Sequence, residues 1–137
     1  MNSEDVSADR EGDHRRTGEE ALRDVPAPDA LYRSLASSER RRVLYVLLER
    51  QHASVDELAD VLSGWKATTE GGVVGAETRR RLYTALHHTH LPQLSEAGVV
   101  TYDAGDRTVS LASLPETAAE AIRIAARYDE LLAANDT

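Results

Sequence analysis

The chain has 137 residues, the size of one ordinary domain, with 41% hydrophobic residues, a single Trp and no Phe. It has no Cys, which excludes disulfide scaffolds, thiol catalysis and thiolate metal sites. No run approaches the ~18 apolar residues of a membrane span, and the Met1 end lacks the apolar stretch of a signal peptide, so a cytoplasmic protein with no membrane partner is expected.

The 24 acidic residues outnumber the 16 basic ones, for a net charge of −8, and Lys66 is the one lysine among those cations. An acidic, arginine-dominated surface suits concentrated salt, where repulsion is screened over about 3 Å at 1 M. A halophilic source is therefore the preferred reading; an ordinary acidic protein with high-GC codon bias is the alternative. The ends carry most of the excess: net −4 over residues 1–28 and −3 over 115–137, against −1 over 29–114. A nearly neutral middle leaves room for a nucleic-acid surface.

Residues 1–28 lack apolar periodicity and end in Val25-Pro26-Ala27-Pro28, which predicts a disordered acidic tail. Asp29 then offers an N-cap, and Leu31, Leu35 and Tyr32 mark a first helix to about residue 36. Ser37 or Ser38 caps a second helix over 39–51, whose Val43, Leu44, Val46, Leu47 and Leu48 suit a central, buried element. Ser54 and Glu57 read as the capping box of a third helix with Val55, Leu58, Ala59 and Leu62 inward; Ser63-Gly64 ends or kinks it. Residues 65–76, with Gly71, Gly72 and Gly75, read as a loop, with a continued helical turn around Trp65 as the alternative. A fourth helix over 76–97 carries Leu82, Leu86, Leu91 and Leu94, with a kink at Pro92 and Gly98 as its C′ residue. Residues 99–102 and 108–111 read as strands joined by a hairpin turn at 103–107. Pro115 opens a last helix over 116–134, with Ile122, Ile124, Tyr128, Leu131 and Leu132 on a broad apolar face. The pattern is mainly α with a small β-hairpin: a winged helix-turn-helix over 29–114 plus a C-terminal helix over 115–137.

Residues 35–44, LASSERRRVL, resemble the L-x-x-x-x-R-x-x-I-L opening of ArsR-like winged helix regulators. Residues 86–100, LHHTHLPQLSEAGVV, are similar to that group's junction between recognition helix and wing, and closer still to small winged helix domains of unknown function from halophilic archaea. The likeness covers about 29–112. It implies a transcriptional regulator that binds double-stranded DNA, with the helix around 77–97 in the major groove and the 99–111 wing on the backbone or minor groove. One departure stands out: residues 63–76 separate the helix pair, where about 3–4 residues are usual, which predicts an altered angle between the two helices.

Thr78, Arg79, Arg80 and Arg81 open the helix that faces DNA in such folds. Consecutive side chains splay by about 100°, so at most two of the arginines share a face. Phosphate anchoring or a fork onto guanine is one reading; ion pairing with Asp60 or Glu77 is the other. Tyr83, Thr84, His87 and His88 continue the helix, and the ArsR-like resemblance puts such positions on the DNA-facing side; a plain polar surface is the alternative. Arg107, flanked by Asp103 and Asp106, is either a wing residue for the minor groove or ordinary turn chemistry. The same resemblance gives Arg42 a bracing role between helices. Arg40 and Arg41 read as surface residues pairing with Glu39 or Glu49, with phosphate contact as the alternative. His90 reads as buried and satisfied by a backbone carbonyl, so neither a metal nor another cofactor is expected. No nucleophile-elbow, P-loop, zincin or dinucleotide motif occurs, and an enzyme is not expected. The alanine-rich last helix suits a homodimer contact that sets two recognition helices on successive major grooves, or else covers its own domain. The alternative function is a winged helix protein–protein interaction module without direct DNA readout.

Overall fold

The computed structural model describes residues 25–71 and 75–135. The expectation of a disordered tail falls, for residues 1–24, outside the described residues, as does the loop reading of 72–74. Helix α1 (Pro28–Leu35) starts from Ala27, not from an Asp29 cap. Pro28 fills the first helical position with a pre-set φ and no donor to satisfy, and Asp29 sits in the first turn, where the helix dipole favours an acid. Helix α2 (Ser38–Arg50) is capped by Ser37, whose Oγ accepts from the Arg40 N–H at 3.3 Å. Val43, Leu44 and Leu47 of α2 are fully buried at the centre of the core, and Val46 and Leu48 pack partly against them.

Gln51 takes a positive φ of 71° and turns the chain straight into β1 (His52–Ser54), a strand with no counterpart in the sequence reading. It pairs antiparallel with β3 (Thr108–Leu111), His52 opposite Ser110, while β2 (Val100–Asp103) pairs with the other edge of β3, Tyr102 opposite Val109. The hairpin is therefore two strands of a three-stranded sheet in the order β1-β3-β2. Ala53, Val100 and Val109 are buried against the helices.

Helix α3 (Val55–Glu70) has the expected capping box, with Ser54 Oγ accepting from the Glu57 N–H and Glu57 accepting from the Ser54 N–H. It does not stop at Ser63-Gly64. A glycine inside a helix costs about 1 kcal/mol relative to alanine, and beyond Gly64 the packing of Trp65 against the core offsets that cost. Arg42 lies over the Trp65 ring at 4.9 Å and ties the continued turn to α2, the bracing role that the resemblance assigned to it. The helix closes at Gly71 with φ +70°, so residues 65–70 are helical and the expected long separation shrinks to residues 71–75.

Helix α4 (Ala76–Ala85), a π-helical turn (Leu86–His90) and α5 (Leu91–Glu96) follow end to end. Leu82, Leu86, Leu91 and Leu94 are all buried, although Leu86 and Leu91 are five residues apart. An α-helix would swing that pair well apart, whereas a π turn closes i to i+5 and stacks them. The Leu91 N–H indeed donates to the Leu86 carbonyl. Pro92, which has no N–H to give, sits directly after this turn, so the expected kink takes the form of a π insertion. Gly98, at φ +81°, is the C′ residue as expected. The Val99 N–H bonds to the Leu94 carbonyl and the Gly98 N–H to that of Ser95, a Schellman closure with Val99 and Leu94 buried together.

Helix α6 (Glu116–Asn135) packs Ala118, Ala119 and Ile122 against the domain, chiefly along α2. No helix among the described residues is long and apolar enough to cross a membrane.

Candidate nucleic-acid interface

The first turns of α4 separate the three consecutive arginines as their angular spacing requires. Arg79 turns back towards α3, where Nε donates to Asp60 Oδ1 at 2.8 Å and Nη2 to Asp56 Oδ1 at 3.3 Å and the Asp56 carbonyl at 3.2 Å. The Asp60 bond, and then the Asp56 bond, raise its pKa above the ordinary arginine value. Arg80 points outward and pairs along the helix with Glu77 at 2.9 Å. Arg81 is also outward; its Nη2 reaches Thr78 Oγ1 at 3.4 Å, and among the described residues no carboxylate pairs with it. Thr84 and His88 are exposed on the same outer side, four and eight residues beyond Arg80. That surface offers phosphate two guanidinium groups, a hydroxyl and an imidazole.

The wing is bound to this helix through side chains. Arg107 Nη1 donates to the Tyr83 hydroxyl at 2.7 Å, with the guanidinium 5.7 Å from the centre of the Tyr83 ring. The bond to Tyr83 raises the Arg107 pKa above its ordinary value. Its backbone has φ +56°, uncommon for a residue with a side chain, and its carbonyl accepts from the Val55 N–H at 3.0 Å. Asp103 caps the turn through the Asp106 N–H. Arg107 thus lies folded onto α4 at the start of β3.

Tyr102 of β2, which sequence reasoning passed over, makes the second link. Its hydroxyl lies 2.5 Å from His87 Nδ1. Burial, then the charges of His88 and Arg107, lower the His87 pKa, and burial raises that of Tyr102. The first shift favours a neutral imidazole and the second a protonated phenol, a pair in which the tyrosine O–H can donate to an unprotonated Nδ1.

The other singled-out residues go elsewhere. His90 is 12% exposed and bonds through Nε2 to Glu39 Oε2 at 2.6 Å, so a carboxylate replaces the expected backbone carbonyl; Lys66 approaches the other oxygen of Glu39 at 3.3 Å. Arg40 donates to Gln93 and to the Arg33 carbonyl, and Arg41 forks onto Asp129; neither pairs with Glu39 or Glu49. Among the described residues no group of three or more His, Asp or Glu could hold a metal ion.

Two helices, a short strand, a helix pair and a hairpin that docks on the second helix of that pair define a winged helix domain, extended by α6. The family described as a domain of unknown function, DUF7344, matches residues 32–110, more than half of the chain, and the chain belongs to it. The match runs from α1 to β3 and stops short of α6. No curated protein and no solved structure matches the chain.

Proposed function

We propose that the chain is a DNA-binding transcriptional regulator, cytoplasmic, related to ArsR-like proteins and suited to concentrated salt. The observation that carries this reading is the tie from Arg107 to Tyr83, because it gives the wing and the outer side of α4 one common surface. Arg80, Arg81, Thr84 and His88 then meet major-groove edges and phosphates, while Thr78, Tyr83 and His87 support them from within the helix. Where salt is molar, counterion release contributes little, and base contacts and shape must supply the affinity.

The working unit in this reading is a homodimer. Ile124, Tyr128 and Leu131 follow one another at helical spacing on the outer side of α6 and are 53%, 61% and 57% exposed, with Leu132 beside them. Tyr32 on α1, which also touches α6, is 64% exposed. Side chains of this size leave several hundred Å² of apolar surface in water, approaching the ~800 Å² per partner of a stable interface. Arg123 and Arg127 of α6 are neutralised within the helix by Glu116 and Glu120, which lowers the cost of apposing two copies.

Selection of genomic fragments at molar potassium chloride tests both parts. Enrichment of palindromic fragments, lost in Arg80→Glu/Arg81→Glu and weakened in a monomeric Ile124→Glu/Leu131→Glu variant, is the expected result. No enrichment by folded wild-type protein sinks direct readout. The second reading, a protein-interaction module without DNA, draws on Arg79, whose charge is already matched by two carboxylates.

A further inference from the structure

We infer that Asp56 and Asp60 hold Arg79 out of contact with DNA and so limit non-sequence-specific binding by this surface; the inference rests on the DNA reading above. The two aspartates stand one turn apart on α3, an i, i+4 pair of like charges that is unfavourable by itself. Arg79, from the neighbouring helix, spans both: Nε serves Asp60, and Nη2 serves the side chain and carbonyl of Asp56. The carboxylates are 70% and 72% exposed, whereas the arginine is 37% exposed. The acids are therefore the more accessible side of the contact, and a phosphate that binds Arg79 has to displace them.

Arg79 has the same chemistry and nearly the same place in α4 as Arg80 and Arg81, but two carboxylates of the neighbouring helix bracket it, whereas Arg80 meets one carboxylate, Glu77 of its own helix, and Arg81 meets none among the described residues. A guanidinium at the start of a helix contributes to affinity for any duplex, since a phosphate contact carries no sequence information. Occupying it internally removes that contribution and leaves the bases facing Arg80, Thr84 and His88 to decide the affinity. The aspartates act as specificity-determining residues that touch no DNA.

The test uses full-length protein and a random-sequence duplex, with affinity measured by anisotropy across a potassium chloride series. Asp56→Asn/Asp60→Asn is compared with wild type and with the triple variant that adds Arg79→Gln; circular dichroism checks that each is folded. The double variant should bind more tightly, with a log–log salt slope steeper by about 0.9, so that the affinity lost between 50 and 200 mM grows about 3.5-fold. The triple variant should return to the wild-type slope. A double variant that matches wild type, or a triple variant as steep as the double, overturns the inference alone. Absence of duplex binding by all three folded proteins overturns it together with the DNA reading.

Discussion

Among the described residues, Arg41 and Arg79 each bind aspartate through two guanidinium nitrogens, but in different surroundings. Arg41 of α2 reaches Asp129 of α6 with 23% and 18% of their side chains exposed, and the Tyr45 hydroxyl donates to the same carboxylate at 2.5 Å. Arg41 also gives Nη1 to the Leu35 carbonyl, so this fork joins α1, α2 and α6. The fork of Arg79 lies open, and its two carboxylates have no further donors among the described residues. Burial separates their roles. In the first fork, removing one partner leaves charges and a hydroxyl half-buried and unsatisfied, which makes it a fastening for α6. In the second, water replaces any lost partner at small cost, so the contact contributes little to stability.

The largest effect that distinguishes them is on stability. Arg41→Ala should lower unfolding free energy by about 1.5–3 kcal/mol, read as a fall in denaturant midpoint, because a charged hydrogen-bonded partner is lost from a partly buried site. A change no larger than that of Arg79→Gln would erase the comparison.

Acid provides a second, smaller separation. Burial pushes the Asp129 carboxyl up, but hydrogen bonds from Arg41 and Tyr45 outweigh it and hold the pKa below the ordinary carboxylate value. A carboxylate depressed in the folded state contributes stability above its unfolded pKa of about 4 and loses it as pH falls through the folded value. Tyr45 is shifted upward, by burial first and by Asp129 next, so its share is complete below about pH 10 and is lost on rising through its folded pKa. Asp129→Asn should therefore flatten the fall of stability below pH 4, as measured by denaturant titrations at several pH values. The smallest expected effect is that of Arg79→Gln, whose melting temperature should stay at the wild-type value.

The parts of this architecture that were legible in the sequence are those fixed by neighbours along the chain. The Ser54–Glu57 box, the Ser37 cap, the Gly98 closure and the buried leucines of α2 and α3 each depend on groups within a few residues. The elements that were missed depend on distant partners. β1 has three residues, His52-Ala53-Ser54, with no strand-forming composition, and exists because β3 pairs with it. The stretch after Gly64 reads first as loop from its glycines, with a helical turn around Trp65 only as the alternative, yet Trp65 packing and the Thr68 and Thr69 hydroxyls, bonded back to the Trp65 carbonyl, keep it helical to Glu70. At the candidate site, Asp60 was visible as a partner for Arg79 through charge alone. Asp56 and the links from Tyr102 and Arg107 required the helix pair and the wing to be placed together.

The π turn has a consequence for chain length. It amounts to one residue inserted into an otherwise ordinary helix, and Thr89, which is exposed, can serve as that residue. Deleting it brings the four leucines to spacings of four, four and three, the phase of a plain α-helix, so the core itself does not require the insertion. Pro92 does, because within an uninterrupted helix it costs about 3 kcal/mol or more. Extra residue and proline therefore form a matched pair. Deletion of Thr89 alone should destabilise the domain, deletion combined with Pro92→Ala should restore it, and natural chains one residue shorter at this point should be found to lack the proline as well.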